Sequence, residues 1–402
     1  MDPSYDLSIG AKRLEKVEAS LIRTILDRAA VLRGEGKSVI PFSAGEPDFN
    51  TPSDIKEAVI RAITNNQTKY TSNRGLPALR KVLQSYIERE TTVAYDPETE
   101  ILVTSSAAEA LNNVIMTFVD EGDEVIVLTP AFISYKCLVN MCGGKFIDIP
   151  YVPTDNGFRV DLDAVRAAVS DKTKMLIMNS PSNPTGAVLD RETVESLCKL
   201  ALDNNFLIFS DEIYSRLVYD GRKFTSVASV PGMKDHSVIV SGFSKTFAMT
   251  GWRLGYLCTD EKLAARILRT HQYSTTCSPT FIQVGLAEAM ETKHTRQQVN
   301  EMIDAFANRR QMIMAGLDAI DGLSYVKPYG AFYIMVDVSA LGMSSMDFSM
   351  KLLEEKYVAT VPAVGLGDHT GKYVRISYAT SEENIEEGLR RIGEFVKENC
   401  GA

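Results

Sequence analysis

Seven short apolar runs, separated by longer amphipathic stretches, leave few architectures open to this 402-residue chain. They are ILVTS (101–105), EVIVLT (124–129), KFIDI (145–149), KMLIM (174–178), FLIFS (206–210), SVIVS (237–241) and LGYLC (254–258). Most are β-rich and almost continuously apolar, whereas a strand with one wet face would alternate. Each is therefore expected to be a strand buried on both faces. Helical patterns such as VDLDAVRAAVS (160–170) and DRETVESLCKLALDNN (190–205) lie between them. Strand–helix alternation predicts an α/β fold with a mainly parallel, seven-stranded sheet under covering helices. The short link from SVIVS to LGYLC interrupts the rhythm and predicts one strand running the other way.

Beyond residue 278 the character changes. Residues 280–319 read as helix, either one long helix or two, followed by KPYGAFYIMVDV (327–338), a helical MDFSMKLLEEKY (346–357), a strand-like KYVRISYA (372–379) and a capped terminal helix from Thr380 or Ser381. The expected division is a large domain over residues 46–289 and a smaller α+β domain made of residues 1–45 and 290–402.

Composition removes several classes of function. The net charge is -9 with no basic run, which argues against nucleic acid or an anionic membrane as the main partner. No apolar run approaches the roughly 20 residues of a membrane helix, and the first residues, MDPSYDLSIGAKRLEK, lack the apolar centre of a secretory signal. Six scattered cysteines without a CxxC pair, beside only four histidines, argue against a metal site. They read as reduced thiols of a cytoplasmic protein.

Four segments that end or follow a strand carry unusual polar content. In open α/β sheets ligands gather beyond the carboxyl ends of strands. In VTSSAAEALNN (103–113) a strand enters a helix through Ser105, Ser106, Ala107 and Ala108, whose small side chains let the first helical N–H groups approach a phosphate; an ordinary serine-capped helix is the plain alternative. NSPSNPTGAV (179–188) is a rigid turn-forming loop, yet its prolines leave Asn183 unexplained, and that amide could hold a phenolate or carboxylate oxygen. In FSDEIYSRL (209–217) a helical turn would put Asp211 and Tyr214 on one side, a carboxylate for a cationic ring nitrogen with a phenol beside it; a capping aspartate is the plain alternative. SGFSKTFAMTGWRLGY (241–256) sets Lys245 near a predicted helix start, between Ser244 and Arg253. Cationic neighbours favour the neutral amine a nucleophilic lysine requires. Phosphate cradle, lysine, carboxylate and phenol together form the inventory of a pyridoxal phosphate site.

Six motifs in order, AGEPDFNTP (44–52), TKYTSNRGLPALR (68–80), NSPSNPTG (179–186), SDEIY (210–214), SGFSKTFAMTGWRLGY (241–256) and YVRISYATS (373–381), resemble the class I aminotransferases of the fold-type I pyridoxal phosphate enzymes. The resemblance spans nearly the whole chain. It implies that Lys245 is the covalent attachment point of pyridoxal 5'-phosphate, that Asp211 faces the ring nitrogen, and that Tyr214 and Asn183 bond the ring's phenolic oxygen. Ser106, Ala107, Ala108, Ser244 and Arg253 would hold the phosphate, and Phe132 would stack on the ring. Tyr135 falls where some relatives place a histidine behind the aspartate. Arg375, with Asn183 and the backbone at Gly45, would clamp the substrate carboxylate. Tyr70 would reach the phosphate of a neighbouring subunit, which implies a homodimer with shared active sites. The expected activity is transfer of an amino group from an aspartate-like or aromatic amino acid to a 2-oxo acid such as 2-oxoglutarate. EASLIRTI (18–25) supplies Ser20 and Arg23 as side-chain-pocket candidates. A C–S β-lyase is the rival enzyme. A non-catalytic regulator would need an added DNA-binding module, for which the 43 residues before the first motif leave little room.

Overall fold

The computed structural model describes residues 10–17 and 21–400. Strands run as β1 (Ile101–Thr104), β2 (Glu124–Thr129), β3 (Lys145–Pro150), β4 (Val152–Thr154), β5 (Gly157–Arg159), β6 (Thr173–Asn179), β7 (Leu207–Asp211), β8 (Ser237–Gly242) and β9 (Gly255–Cys258). They continue as β10 (Ser324–Val326), β11 (Tyr333–Asp337), β12 (Val361–Pro362) and β13 (Tyr373–Ser377). Seven form one sheet in the order β1-β9-β8-β7-β6-β2-β3. Every pairing in it is parallel except the two made by β9, which runs antiparallel to β1 and β8. All seven apolar runs are strands of this sheet, and the expected reversed strand is β9.

The two buried faces explain the unbroken apolar character. In β2, Ile126 and Leu128 enter the core on one face while Val125 and Val127 enter the core on the other. Leu176 and Met178 of β6 divide from Met175 and Ile177 in the same way. Alternate side chains of a strand point to opposite faces, so a strand covered on both sides needs apolar residues at both parities.

Residues 280–319 form two helices, Thr280–Ala289 and Lys293–Asp318. The second starts where the Thr292 hydroxyl accepts from Thr295 N–H at 3.1 Å, a side-chain cap. The four-stranded sheet has the order β10-β11-β13-β12 and is antiparallel throughout. It packs its own core against Lys293–Asp318, Ser345–Lys356 and Glu382–Cys400, with Phe348 and Phe395 meeting edge-to-face at 5.5 Å. Of the segment KPYGAFYIMVDV only Tyr333–Asp337 is strand; the residues before it turn, with Ala331 at φ 56°. Among the described residues no helix is long and apolar enough to cross a membrane.

Candidate active site

The carboxyl ends of β1, β6, β7 and β8 converge on a cavity of about 400 Å³, closed on the far side by β11 and β13 and by the helix Leu21–Gly34. At the end of β1, Ser106 adopts φ 86°, unusual for a residue with a side chain, and makes no side-chain cap to the helix Ala107–Phe118. The serine-capped alternative is therefore not what the loop does. Ser106, Ala107 and Ala108 line the cavity at the helix start, where free N–H groups and the helix dipole favour an anion. Strand β9 crosses tightly behind them: a Cβ on Gly255 would lie 2.5 Å from the Ala107 nitrogen. The loop is braced by Glu109, which accepts from Ser105 N–H at 2.7 Å and lies 2.8 Å from Nδ1 of the fully buried His271.

After β6, Asn179 donates to the Asp211 carbonyl at 2.8 Å and accepts from Asn183 N–H at 2.7 Å, which fixes the proline-rich loop to its neighbouring strand. The Asn183 amide oxygen then accepts from Arg375 at 3.0 Å, and the residue lines the cavity. Arg375 also donates to the Ser43 carbonyl at 3.0 Å, and its buried Nε has no partner. An orphaned guanidinium donor at a cavity wall suits an incoming carboxylate.

At the end of β7, the Asp211 carboxylate accepts from the Tyr135 hydroxyl at 2.7 Å and from Ile213 N–H at 3.1 Å. Burial pushes its pKa up, while those two hydrogen bonds pull the other way. The expected helical turn after it is a plain turn, in which Ser215 N–H bonds Glu212 and Leu217 N–H bonds Tyr214. Tyr214 still lines the cavity, its hydroxyl 3.0 Å from that of Tyr333.

After β8, Lys245 lies on one short helix, Phe243–Thr246, and donates to the Gly45 carbonyl. The residue is partly exposed and lines the cavity. Desolvation on burial lowers its pKa to about 8; Glu46 and Asp211 oppose the shift, and Arg375 and Arg253 reinforce it. Arg253 is held at φ 55° with its guanidinium donating to Thr250 O at 2.7 Å. A left-handed backbone at an arginine costs roughly 1 kcal/mol and is typical of residues aimed by function. Phe132, Ser244 and Gly45 complete the set of expected residues at the cavity.

Two expected residues lie elsewhere. Tyr70 is 87% exposed and outside the cavity. Arg23 is exposed on the outer side of its helix, while Ile22 and Leu26 of that helix line the cavity; Ser20 lies outside the described residues. Sequence reasoning missed Tyr333, Glu46 and Thr250 as cavity residues. Glu46 stands next to Gly45 in a quoted motif, but nothing in its spacing says that Thr250 donates to it at 2.6 Å.

The family model of Aminotransferase class I and II matches residues 37–392. The chain is a class I and II aminotransferase. An aspartate aminotransferase of Pyrococcus abyssi is 39% identical over 386 residues, covering 96% of this chain and 98% of its own. An aromatic-amino-acid aminotransferase of Thermococcus litoralis is 38% identical with the same coverage. The solved aspartate aminotransferase of Thermus thermophilus with maleate superposes with a TM-score of 0.90 at 37% identity, covering 96% of this chain and 98% of its own. This aminotransferase moves an amino group between an amino acid and a 2-oxo acid, and it depends on pyridoxal phosphate. The cavity fits that cofactor. The buried Asp211 carboxylate suits a cationic ring nitrogen, the Arg253 guanidinium and the helix start at Ser106, Ala107 and Ala108 suit a phosphate, and the Lys245 amine, its pKa lowered to about 8, lines the same cavity.

Proposed function

We propose that this aminotransferase takes aspartate and aromatic L-amino acids as donors and 2-oxoglutarate as acceptor, in two successive half-reactions. The observation that carries this reading is the pairing of Lys245 with Arg375 across one cavity, an amine of pKa about 8 near a guanidinium with an unpartnered Nε. In support, the cavity wall beyond them is apolar at Ile22, Leu26 and Leu366, and relatives named for aspartate and for aromatic amino acids match about equally well.

When bound, the cofactor supplies a carbonyl carbon that joins an amine and a ring that takes up the electron pair released at Cα. The proposed roles of the chain's own groups follow from their positions. The N–H groups of Ala107 and Ala108, with Ser106, Ser244 and Arg253, hold the phosphate. Asp211, fixed by Tyr135, faces the ring nitrogen, and Phe132 covers the ring. Tyr214 and Asn183 bond the phenolic oxygen. Arg375, Asn183 and the backbone at Gly45 orient the substrate carboxylate. Lys245 would be the covalent attachment point of the cofactor, and as a neutral amine it would serve as the base for the substrate Cα proton.

The site is proposed to be completed in a homodimer. Tyr70 and Tyr273 are 87% and 88% exposed, large aromatics that a free surface does not favour. Their neighbourhood is held firmly, with Thr280 donating to Lys69 O and Asn73 donating to Thr276 O, both at 2.6 Å. A domain division at 46–289 against 1–45 with 290–402 belongs to the same proposal, supported by the core that the four-stranded sheet builds with the helices Lys293–Asp318, Ser345–Lys356 and Glu382–Cys400.

Absorbance spectra test the reading. The purified protein should be yellow, and single additions of aspartate, phenylalanine or tyrosine should bleach the visible band. Lys245→Ala should lose the chromophore and lower transamination by roughly a hundredfold or more. A wild type that stays colourless after reconstitution would sink the proposal, as would steady pyruvate release from cystathionine without an added oxo acid.

A further inference from the structure

Tyr333 lies on β11 and is fully buried, with 1% of its surface exposed. It touches three groups of the site. Its hydroxyl is 3.0 Å from the Tyr214 hydroxyl. Its ring lies under the Arg375 guanidinium, 4.6 Å from ring centre to carbon. A Cβ on Gly45 would stand 3.6 Å from its hydroxyl. The arrangement comes from strand register. Met335 of β11 faces Arg375 of β13, so Tyr333, two residues away, is the diagonal neighbour of Arg375 on the same sheet face.

The hydroxyl pair has a defined direction once Tyr214 has a ligand. A phenol carries one proton. If Tyr214 donates to the phenolic oxygen of the cofactor, it must accept from Tyr333. Hydrogen bonds in such a chain strengthen one another, so the Tyr333 proton makes Tyr214 a better donor. The Arg375 side is different in kind. Nη1 is taken by Asn183 and Nη2 by Ser43, and the ring of Tyr333 covers one face of the plane. Nε has no protein partner, and each Nη keeps a second N–H, so donors remain for a carboxylate.

We infer that Tyr333 is a positioning residue joining the two halves of the site: its hydroxyl orients the Tyr214 phenol toward the cofactor, and its ring orients the Arg375 plane toward the substrate carboxylate. The inference rests on the cofactor and carboxylate roles proposed above for Tyr214 and Arg375. The titratable groups about the pair are Arg375 and Tyr378 from β13 and the residue following it, Lys245 from the short helix after β8, and Asp211 at the end of β7. All remain in place when only the Tyr333 hydroxyl is removed.

Two variants separate the hydroxyl from the ring. The visible band of the cofactor-loaded protein is titrated with pH, and binding of 3-phenylpropionate, a carboxylate without an amine, is measured by calorimetry on the same holoenzyme. Y333F keeps the ring. Its titration midpoint should rise by about half a unit to one unit, because weaker donation by Tyr214 leaves more charge on the phenolic oxygen and so holds the neighbouring proton more tightly. Its affinity for 3-phenylpropionate should stay within about twofold of wild type, the ring face being unchanged. Y333L removes the ring and should weaken 3-phenylpropionate by roughly fivefold to thirtyfold. A Y333F protein that binds cofactor fully and keeps the wild-type midpoint overturns the inference. So does a Y333L protein of wild-type thermal stability that holds 3-phenylpropionate as tightly as the wild type. A wild type that binds no cofactor removes the underlying reading as well, so the two failures are distinct.

Discussion

Two adjacent carboxylates, Asp211 and Glu212, show how position along a strand assigns chemistry. Asp211 faces the cavity, where a ligand's cation could offset its burial. Glu212 points away from it, and its Oε1 accepts from Ser210 and Ser226 hydroxyls at 3.0 and 2.9 Å and from Val227 N–H at 3.2 Å. With no cation there, burial raises its pKa to about 7 from 4.5, the hydrogen bonds only partly opposing this. In that window the folded chain binds a proton that the unfolded chain has lost, so stability falls as pH rises from about 4.5 to 7. Glu212→Gln keeps the shape and cannot ionise. Relative to wild type it should be more stable at pH 8 than at pH 5 by roughly 2.5 kcal/mol, read as the difference in urea unfolding at the two pH values. A difference that does not change with pH would refute the assignment.

Among the elements, β9 has the sharpest structural demand. It is the reversed strand between β1 and β8, and it carries Gly255 against the first nitrogen of the helix Ala107–Phe118. Gly255→Ala must displace that helix start or the strand. Overpacking of this kind costs roughly 1–3 kcal/mol, so titration of the apoprotein with pyridoxal phosphate should show binding roughly tenfold weaker. Gly251→Ala, with nothing within 4 Å of its new methyl, is the control from the same segment. Equal affinity in the two variants would show that the helix start does not hold the phosphate. The same scale explains what was legible in the sequence. Strands buried on both faces announce themselves as apolar runs, so the large sheet could be read with its one reversal. The hairpin β4–β5 and strands β10 and β12, two or three residues each, are too short to show a period. The turn at Tyr214 read as helix because i,i+3 spacing is shared by both. Strand ends carrying Ser106, Asn183, Asp211 and Lys245 were legible as a site because polar residues break apolar runs there. Tyr333 was not, since its contact with Arg375 depends on a register set by residues 42 positions apart in the chain.

For the whole molecule, the exposed Tyr70 makes a prediction that one subunit alone cannot satisfy. Tyr70→Ala should weaken cofactor binding roughly tenfold or more if its hydroxyl bonds a partner's phosphate. When Tyr70→Ala and Lys245→Ala chains are unfolded together and reassembled, random pairing should restore about a quarter of the sites. Each restored site combines an intact lysine from one chain with an intact tyrosine from the other. Mixtures no more active than the separate variants would refute shared sites.

The helix Lys293–Asp318 has 26 residues and serves both cores. Val299 near its start packs with the large sheet, while Met302, Phe306, Ile313 and Leu317 pack with the small one. This shared beam gives one buried side chain to the large core and most of its apolar face to the small one. Two architectures by topology are thus one unit by cohesion, and loosening either end of the beam loosens the seam on which Lys245 and Arg375 face each other.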